Sequence, residues 1–89
     1  MRALRRWTVE VFVGEDDGRT YAEAALRDDI GNHVLGTGRA KVNPDDRDVP
    51  EIGDEIAVGR ALVDLGHRLL NTAAADIESV THEAVTLVR

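Results

Sequence analysis

The segment Asn43-Pro44-Asp45-Asp46-Arg47-Asp48-Val49-Pro50-Glu51 divides this chain into two kinds of repetition. Before it, apolar residues alternate with a period of two; after it, they recur at threes and fours. A polar connector bracketed by prolines lets neither pattern run across it. The division therefore specifies an α+β architecture, three strands followed by one long helix, within a single domain spanning residues 1–89.

Within the first half, Trp7-Thr8-Val9-Glu10-Val11-Phe12-Val13 sets Trp7, Val9, Val11 and Val13 against Thr8, Glu10 and Phe12, a half-buried strand rich in β-branched residues. Gly14-Glu15-Asp16-Asp17-Gly18 reads as the turn that follows. Its carboxylates lack the spacing of an EF-hand loop, so a solvated loop is the simpler reading. A second strand is expected over Arg19–Arg27, where Ala22, Ala24 and Leu26 alternate against Tyr21, Glu23, Ala25 and Arg27. Its alanines would also suit a helix, but nine residues between two turn signals is short for one. Asp28-Asp29-Ile30-Gly31-Asn32 supplies the next turn, and His33–Val42 the third strand.

That third strand places Val34, Gly36, Gly38, Ala40 and Val42 on one face and Leu35, Thr37, Arg39 and Lys41 on the other. Two glycines on one strand face mean that something approaches the backbone closely. The expected visitor is the helix, with Gly59 and Gly66 as matching small residues. A phosphate loop would run straight into a helix N-terminus, whereas this glycine pair continues as strand.

Pro50 suits a first helical turn, and Glu51, Asp54 and Glu55 complement the positive end of the helix dipole. Ile52, Ile56, Leu62, Leu65, Leu69 and Leu70 give an amphipathic helix from Pro50 to at least Ala75. The tail from Ile77 to Arg89 fits two readings. Helical phase continues through Ile77, Val80, Ala84 and Leu87, while its β-branched residues favour a fourth strand, the reading taken here.

The chemistry-bearing residues are sparse. The absence of cysteine excludes disulfides, thiolate metal sites and thiol catalysis, and makes the cytoplasm the expected address. No apolar run approaches a membrane span, and the basic N-terminus lacks the apolar core of a signal peptide. His33, His67 and His82 stand in no metal-ligand spacing, and Ser79, the lone serine, lacks the glycines of a nucleophile elbow. No enzyme activity, metal or cofactor is expected. Only an apolar cavity of about 300 Å³ or more, ringed by polar groups, would favour a small-ligand site. With 17 acidic against 11 basic residues and a net charge of −6, autonomous nucleic-acid binding is disfavoured.

What remains is a surface. If the helix covers the Trp7, Val9 and Val11 side of the sheet, the opposite side displays Phe12, Tyr21 and Leu35 beside Arg27, Arg39 and Lys41. Solvation is the simpler reading of that face. Its uncovered apolar area and the basic cluster make it the candidate interaction surface.

The runs Trp7-Thr8-Val9-Glu10-Val11, Arg19-Thr20-Tyr21-Ala22-Glu23-Ala24, Gly36-Thr37-Gly38-Arg39-Ala40 and the proline-bracketed Asn43–Glu55 segment resemble a group of small actinobacterial proteins classed as a domain of unknown function. Its mycobacterial members include a hypoxia-induced dormancy protein. The resemblance covers about residues 7–76. It implies the β-β-β-α part of a double-stranded RNA-binding fold, and dimers likened in shape to ribosome hibernation-promoting factors. True double-stranded RNA binders carry lysines at the start of the last helix, where this chain has Glu51-Ile52-Gly53-Asp54-Glu55. That acidic turn would repel phosphate, so the fold does not bring the RNA function with it. The expected role is a non-enzymatic, stress- or dormancy-linked homodimer with a ribosome or a protein as partner. The alternative is a purely structural homodimer that never touches RNA.

Overall fold

The structure, a computed structural model, describes residues 3–31, 33–42, 49–82 and 85–87. Three antiparallel strands, β1 (Thr8–Asp16), β2 (Arg19–Arg27) and β3 (His33–Lys41), form a sheet in the order β1-β2-β3. One helix, α1 (Pro50–Thr81), packs on one face of it. This is the α+β, β-β-β-α arrangement that the two periodicities specify.

The first hairpin is tighter than expected. Gly14, Glu15 and Asp16 belong to β1, and the turn is only Asp17-Gly18, both at positive φ (51° and 72°). An Asp-Gly pair at positive φ gives the two-residue turn whose twist matches its flanking strands. Glu15 and Asp16 consequently point to opposite faces of a strand, so the three carboxylates do not converge on a cation. In the second turn the Ile30 N–H donates to Asp28 Oδ1 at 3.0 Å, and Gly31 adopts φ 91°.

Val49 is extended, as a residue before proline must be, and Pro50 opens α1. The helix runs on to Thr81 and stops where His82 turns left-handed, its N–H donating to the Glu78 carbonyl at 2.7 Å. The expected fourth strand is therefore corrected: Ile77 to Thr81 are helical, and Val85 to Leu87 form no strand. Glu83, Ala84, Val88 and Arg89 lie outside the described residues. No Gly or Pro lies between Gly66 and His82, so propagation continues and overrides the weak strand preference of Val80 and Thr81.

The core is built from small residues. Ala22, Ala24, Leu26 and Ala40 of the sheet meet Ala57, Ala61 and Leu65 of α1, with Val34, Val58 and Leu69 packed against them. Gly36 and Gly38 lie beneath the helix, as their shared face requires. A Cβ on Gly36 would stand 2.7 Å from Leu65 Cα and strike the Ala61 carbonyl, and one on Gly38 would strike the backbone of Ala57 and Ala61. The helical partners are alanines rather than the expected Gly59 and Gly66, which have no atom within 4 Å of a built Cβ. Helical phase explains the correction, because Ala57, Ala61 and Leu65 recur every four residues along one stripe, while Gly59 and Gly66 fall on the outer side.

Two residues of strand rise about 6.6 Å and four of helix about 6 Å, so α1 steps along β3 in register and antiparallel to it. Gly38 faces Ala57 and Ala61, Gly36 faces Ala61 and Leu65, and a Cβ on Gly53 at the helix start would stand 2.9 Å from Thr20 Oγ1. Two side chains also hold α1 to the free edge of β3. The Thr37 N–H donates to Asp64 Oδ2 at 2.8 Å, and Arg60 Nη1 donates to the Arg39 carbonyl at 2.6 Å. The helix rests on β3 and β2 and scarcely touches β1.

Candidate interaction surfaces

Antiparallel partners share a face, so the register orders the outer side of the sheet into rows. From one end these are Thr8–Arg27–His33, Glu10–Ala25–Leu35, Phe12–Glu23–Thr37, Gly14–Tyr21–Arg39 and Asp16–Arg19–Lys41. All six expected surface residues lie on this side, and Phe12, Tyr21 and Leu35 remain exposed. The register nevertheless separates the expected basic cluster. Arg27 stands three rows from Arg39, about 20 Å along the strands.

Arg19 takes the place of Arg27. It lies opposite both Asp16 and Lys41, one row from Tyr21 and Arg39. The Asp17-Gly18 turn could have identified it, since a two-residue hairpin fixes the pairing of Asp16 with Arg19. The Arg39 guanidinium sits 5.4 Å from the centre of the Tyr21 ring, within cation–π range. The Tyr21 hydroxyl donates to Glu23 Oε2 at 3.2 Å. Loss of solvation, and then that hydrogen bond to a carboxylate, raise the Tyr21 phenol above its usual pKa. Gly14 leaves a gap beside the ring, and the surrounding groups line an open cavity of about 760 Å³, to which Arg60 also contributes.

A second surface lies on the helix side and was missed in the sequence. Val9, Val11 and Val13 pair with Leu26, Ala24 and Ala22, so they do face the helix side, as alternation predicts. They are nevertheless left 41%, 38% and 44% exposed, because α1 is held over β3 and leaves β1 uncovered. Asp64 and Arg60 mark the α1 flank over the β3 edge, so the opposite flank, carrying Val58, Leu62 and Leu69, is turned toward β1. The result is a trough floored by β1 valines and walled by helix aliphatics. Among the described residues no hydrogen bond reaches the outer edge of β1. Of the histidines, His33 stands in the first outer row beside Arg27, whereas His67 lies mid-helix and His82 ends α1.

The chain matches the Rv2632c-like family over residues 5–86. It belongs to that family. It is 48% identical over 85 residues to the uncharacterized protein Mb1767 of Mycobacterium bovis, covering 96% of this chain and 89% of that protein. Against the uncharacterized protein Rv2632c of Mycobacterium tuberculosis it is 42% identical over 78 residues, covering 88% and 83%. The crystal structure of Rv2632c superposes with a TM-score of 0.82 and 38% identity, covering 92% of this chain and 96% of that one. The sequence resemblance to small actinobacterial proteins and the β-β-β-α fold are thereby established for this Rv2632c-like chain. No helix among the described residues is long and apolar enough to cross a membrane.

Proposed function

We propose that this Rv2632c-like chain is a non-enzymatic interaction protein of the cytoplasm that works as a homodimer. In this reading a second copy covers the β1 trough, and the outer sheet face stays free for a further partner. The observation that carries it is the uncovered row Val9, Val11 and Val13 beside a strand edge that is unpaired among the described residues. An open edge flanked by apolar area is where another chain joins a sheet.

The core points the same way, because among the described residues no large side chain is fully buried within one copy.

For the partner of the dimer, the resemblance to a family with a hypoxia-induced dormancy member supports a stress-linked role at the ribosome. Light scattering coupled to size-exclusion chromatography tests the dimer. The wild type elutes at twice the chain mass and Val11→Asp at the chain mass, while a monomeric wild type removes the proposal. Co-sedimentation with ribosomes across a salt series tests the partner. Release by about 200 mM salt marks phosphate contacts, and no association at any salt leaves the structural homodimer that never meets RNA.

A further inference from the structure

We infer that the cavity at the Tyr21–Arg39 end of the outer sheet face is a binding site for a nucleoside phosphate. Its charge is opposite to that of the whole molecule. Arg19, Arg39, Lys41 and Arg60 line it against Glu15 and Asp16, a local excess of positive charge on a chain of net −6. Glu15, through its partner Thr20, and Arg60, through its place on α1, both belong to the helix side, so the outer-face charges that line the cavity are Arg19, Arg39 and Lys41 against Asp16, with Glu23 one row beyond at the Tyr21 hydroxyl.

The cations are also available. Among the described residues the one ion pair is Arg68 with Asp64, at 3.0 Å on the helix. Neither Arg19 nor Lys41 has a carboxylate within salt-bridge distance there. Arg39 is spent only on the Tyr21 ring, and Arg60 gives one N–H to the Arg39 carbonyl. Phosphate, with three acceptor oxygens and charge to be neutralised, is the ligand such a group of guanidinium and ammonium donors fits.

The aromatic half of the site selects a nucleoside over a bare anion. Arg39 covers Tyr21 from the β3 side, while on the β1 side the partner of Tyr21 is Gly14, which offers no side chain. A planar base can enter that gap and stack on the open ring, with its phosphates one row away at Arg19 and Lys41. The volume of about 760 Å³ lies within the range of small-molecule sites. A free nucleotide and one residue of an RNA strand present the same chemistry.

The site is independent of the proposed dimer, because the trough lies on the opposite side of the sheet. Calorimetric titration of the full chain with ADP, single-stranded oligoadenylate, pyrophosphate and hexaglutamate tests it, in the wild type and in the Val11→Asp monomer. ADP or the oligonucleotide is expected to bind with Kd of about 1 mM or tighter. Tyr21→Ala weakens that binding about tenfold, the size of one lost base stack, while Tyr21→Phe retains it. Arg19→Ala and Lys41→Ala weaken it by a similar factor, and Arg27→Ala, about 20 Å away, leaves it unchanged. Circular dichroism confirms that these exposed substitutions keep the fold. Oligoadenylate bound more than tenfold tighter than ADP identifies a strand as the source, and equal affinity identifies a free nucleotide. The proposal is overturned if neither binds at 5 mM ligand, if pyrophosphate or hexaglutamate binds as tightly as ADP, or if the Tyr21 and Arg19 variants bind as the wild type does.

Discussion

Replacing Gly38 by alanine puts one methyl group where the backbone of α1 already lies. A Cβ there meets the Ala57 carbonyl and the Ala61 amide, neither of which can rotate away as a side chain can. At Gly36 the same operation brings Cβ to 2.7 Å from Leu65 Cα. Restoring ordinary van der Waals contact requires α1 to lift from β3 by about 1 Å, enough to forfeit a quarter to a half of the dispersion well at each remaining contact. Overpacking of this kind costs about 1–3 kcal/mol, and a backbone obstacle places the cost near the upper end. Removing glycine flexibility from the unfolded chain returns about 0.4–1 kcal/mol. The net expectation is a loss of about 2 kcal/mol, or about 8–16 °C in Tm for a domain of this size. Urea and thermal unfolding followed by helical circular dichroism measure it. Gly14→Ala is the control, since its Cβ meets nothing within 4 Å, and it should match the wild type or gain slightly. The double variant Gly36→Ala/Gly38→Ala should cost less than the sum of the singles, because one lift accommodates both methyls. A Gly38→Ala protein as stable as Gly14→Ala would refute the close approach of helix to strand.

Three further outcomes follow from the same geometry. The Asp64 carboxyl is held below its usual pKa, first by the Thr37 N–H and then by Arg68. Its ionised form is thus favoured by folding, and that contribution is whole above the ordinary carboxylate range and is lost as the pH falls through the lower folded value. Asp64→Asn should therefore unfold at lower urea than the wild type at pH 7, and the gap should narrow steadily once the pH drops below about 4. Gly18→Ala has room, with Val42 Cβ 3.8 Å from the new methyl, but must hold φ 72°. It should lose about 1–2 kcal/mol through backbone strain alone, and an unchanged urea midpoint would contradict the two-residue turn. Arg39→Glu should leave the urea midpoint nearly unmoved, because this exposed side chain makes only a surface ring contact. It should nevertheless reduce ribosome co-sedimentation at low salt, and unaltered sedimentation would take Arg39 out of the partner surface.

Much of this architecture is legible in the residues. Alternation in β1, β2 and β3 says which side chains share a face, but of the large apolar helix residues only Leu65 is buried on the sheet, beside Ala57 and Ala61, while Ile52, Ile56 and Leu62 stay exposed. Gly36 and Gly38 announce a close neighbour, which α1 supplies. The composition of the outer face, with Phe12, Tyr21, Leu35, Arg27, Arg39 and Lys41, is equally a consequence of alternation. What alternation does not carry is position along the sheet, which is why Arg27 reads as a neighbour of Arg39 in the sequence and lies about 20 Å from it in the fold. Pairing register decided that, and with it the place of Arg19.

Coverage is the other property that belongs to the tertiary structure. Val9, Val11 and Val13 carry the same period-two signal as Ala22, Ala24 and Leu26, yet only the second set is buried. A helix about 10 Å across covers two strands spaced about 4.8 Å apart and leaves a third bare. Which strand is left bare was fixed by the glycine groove of β3 and by Asp64 and Arg60 reaching its free backbone edge. A strand pattern records the face a residue points to, and only the lateral placement of the opposing layer determines whether anything is there to meet it.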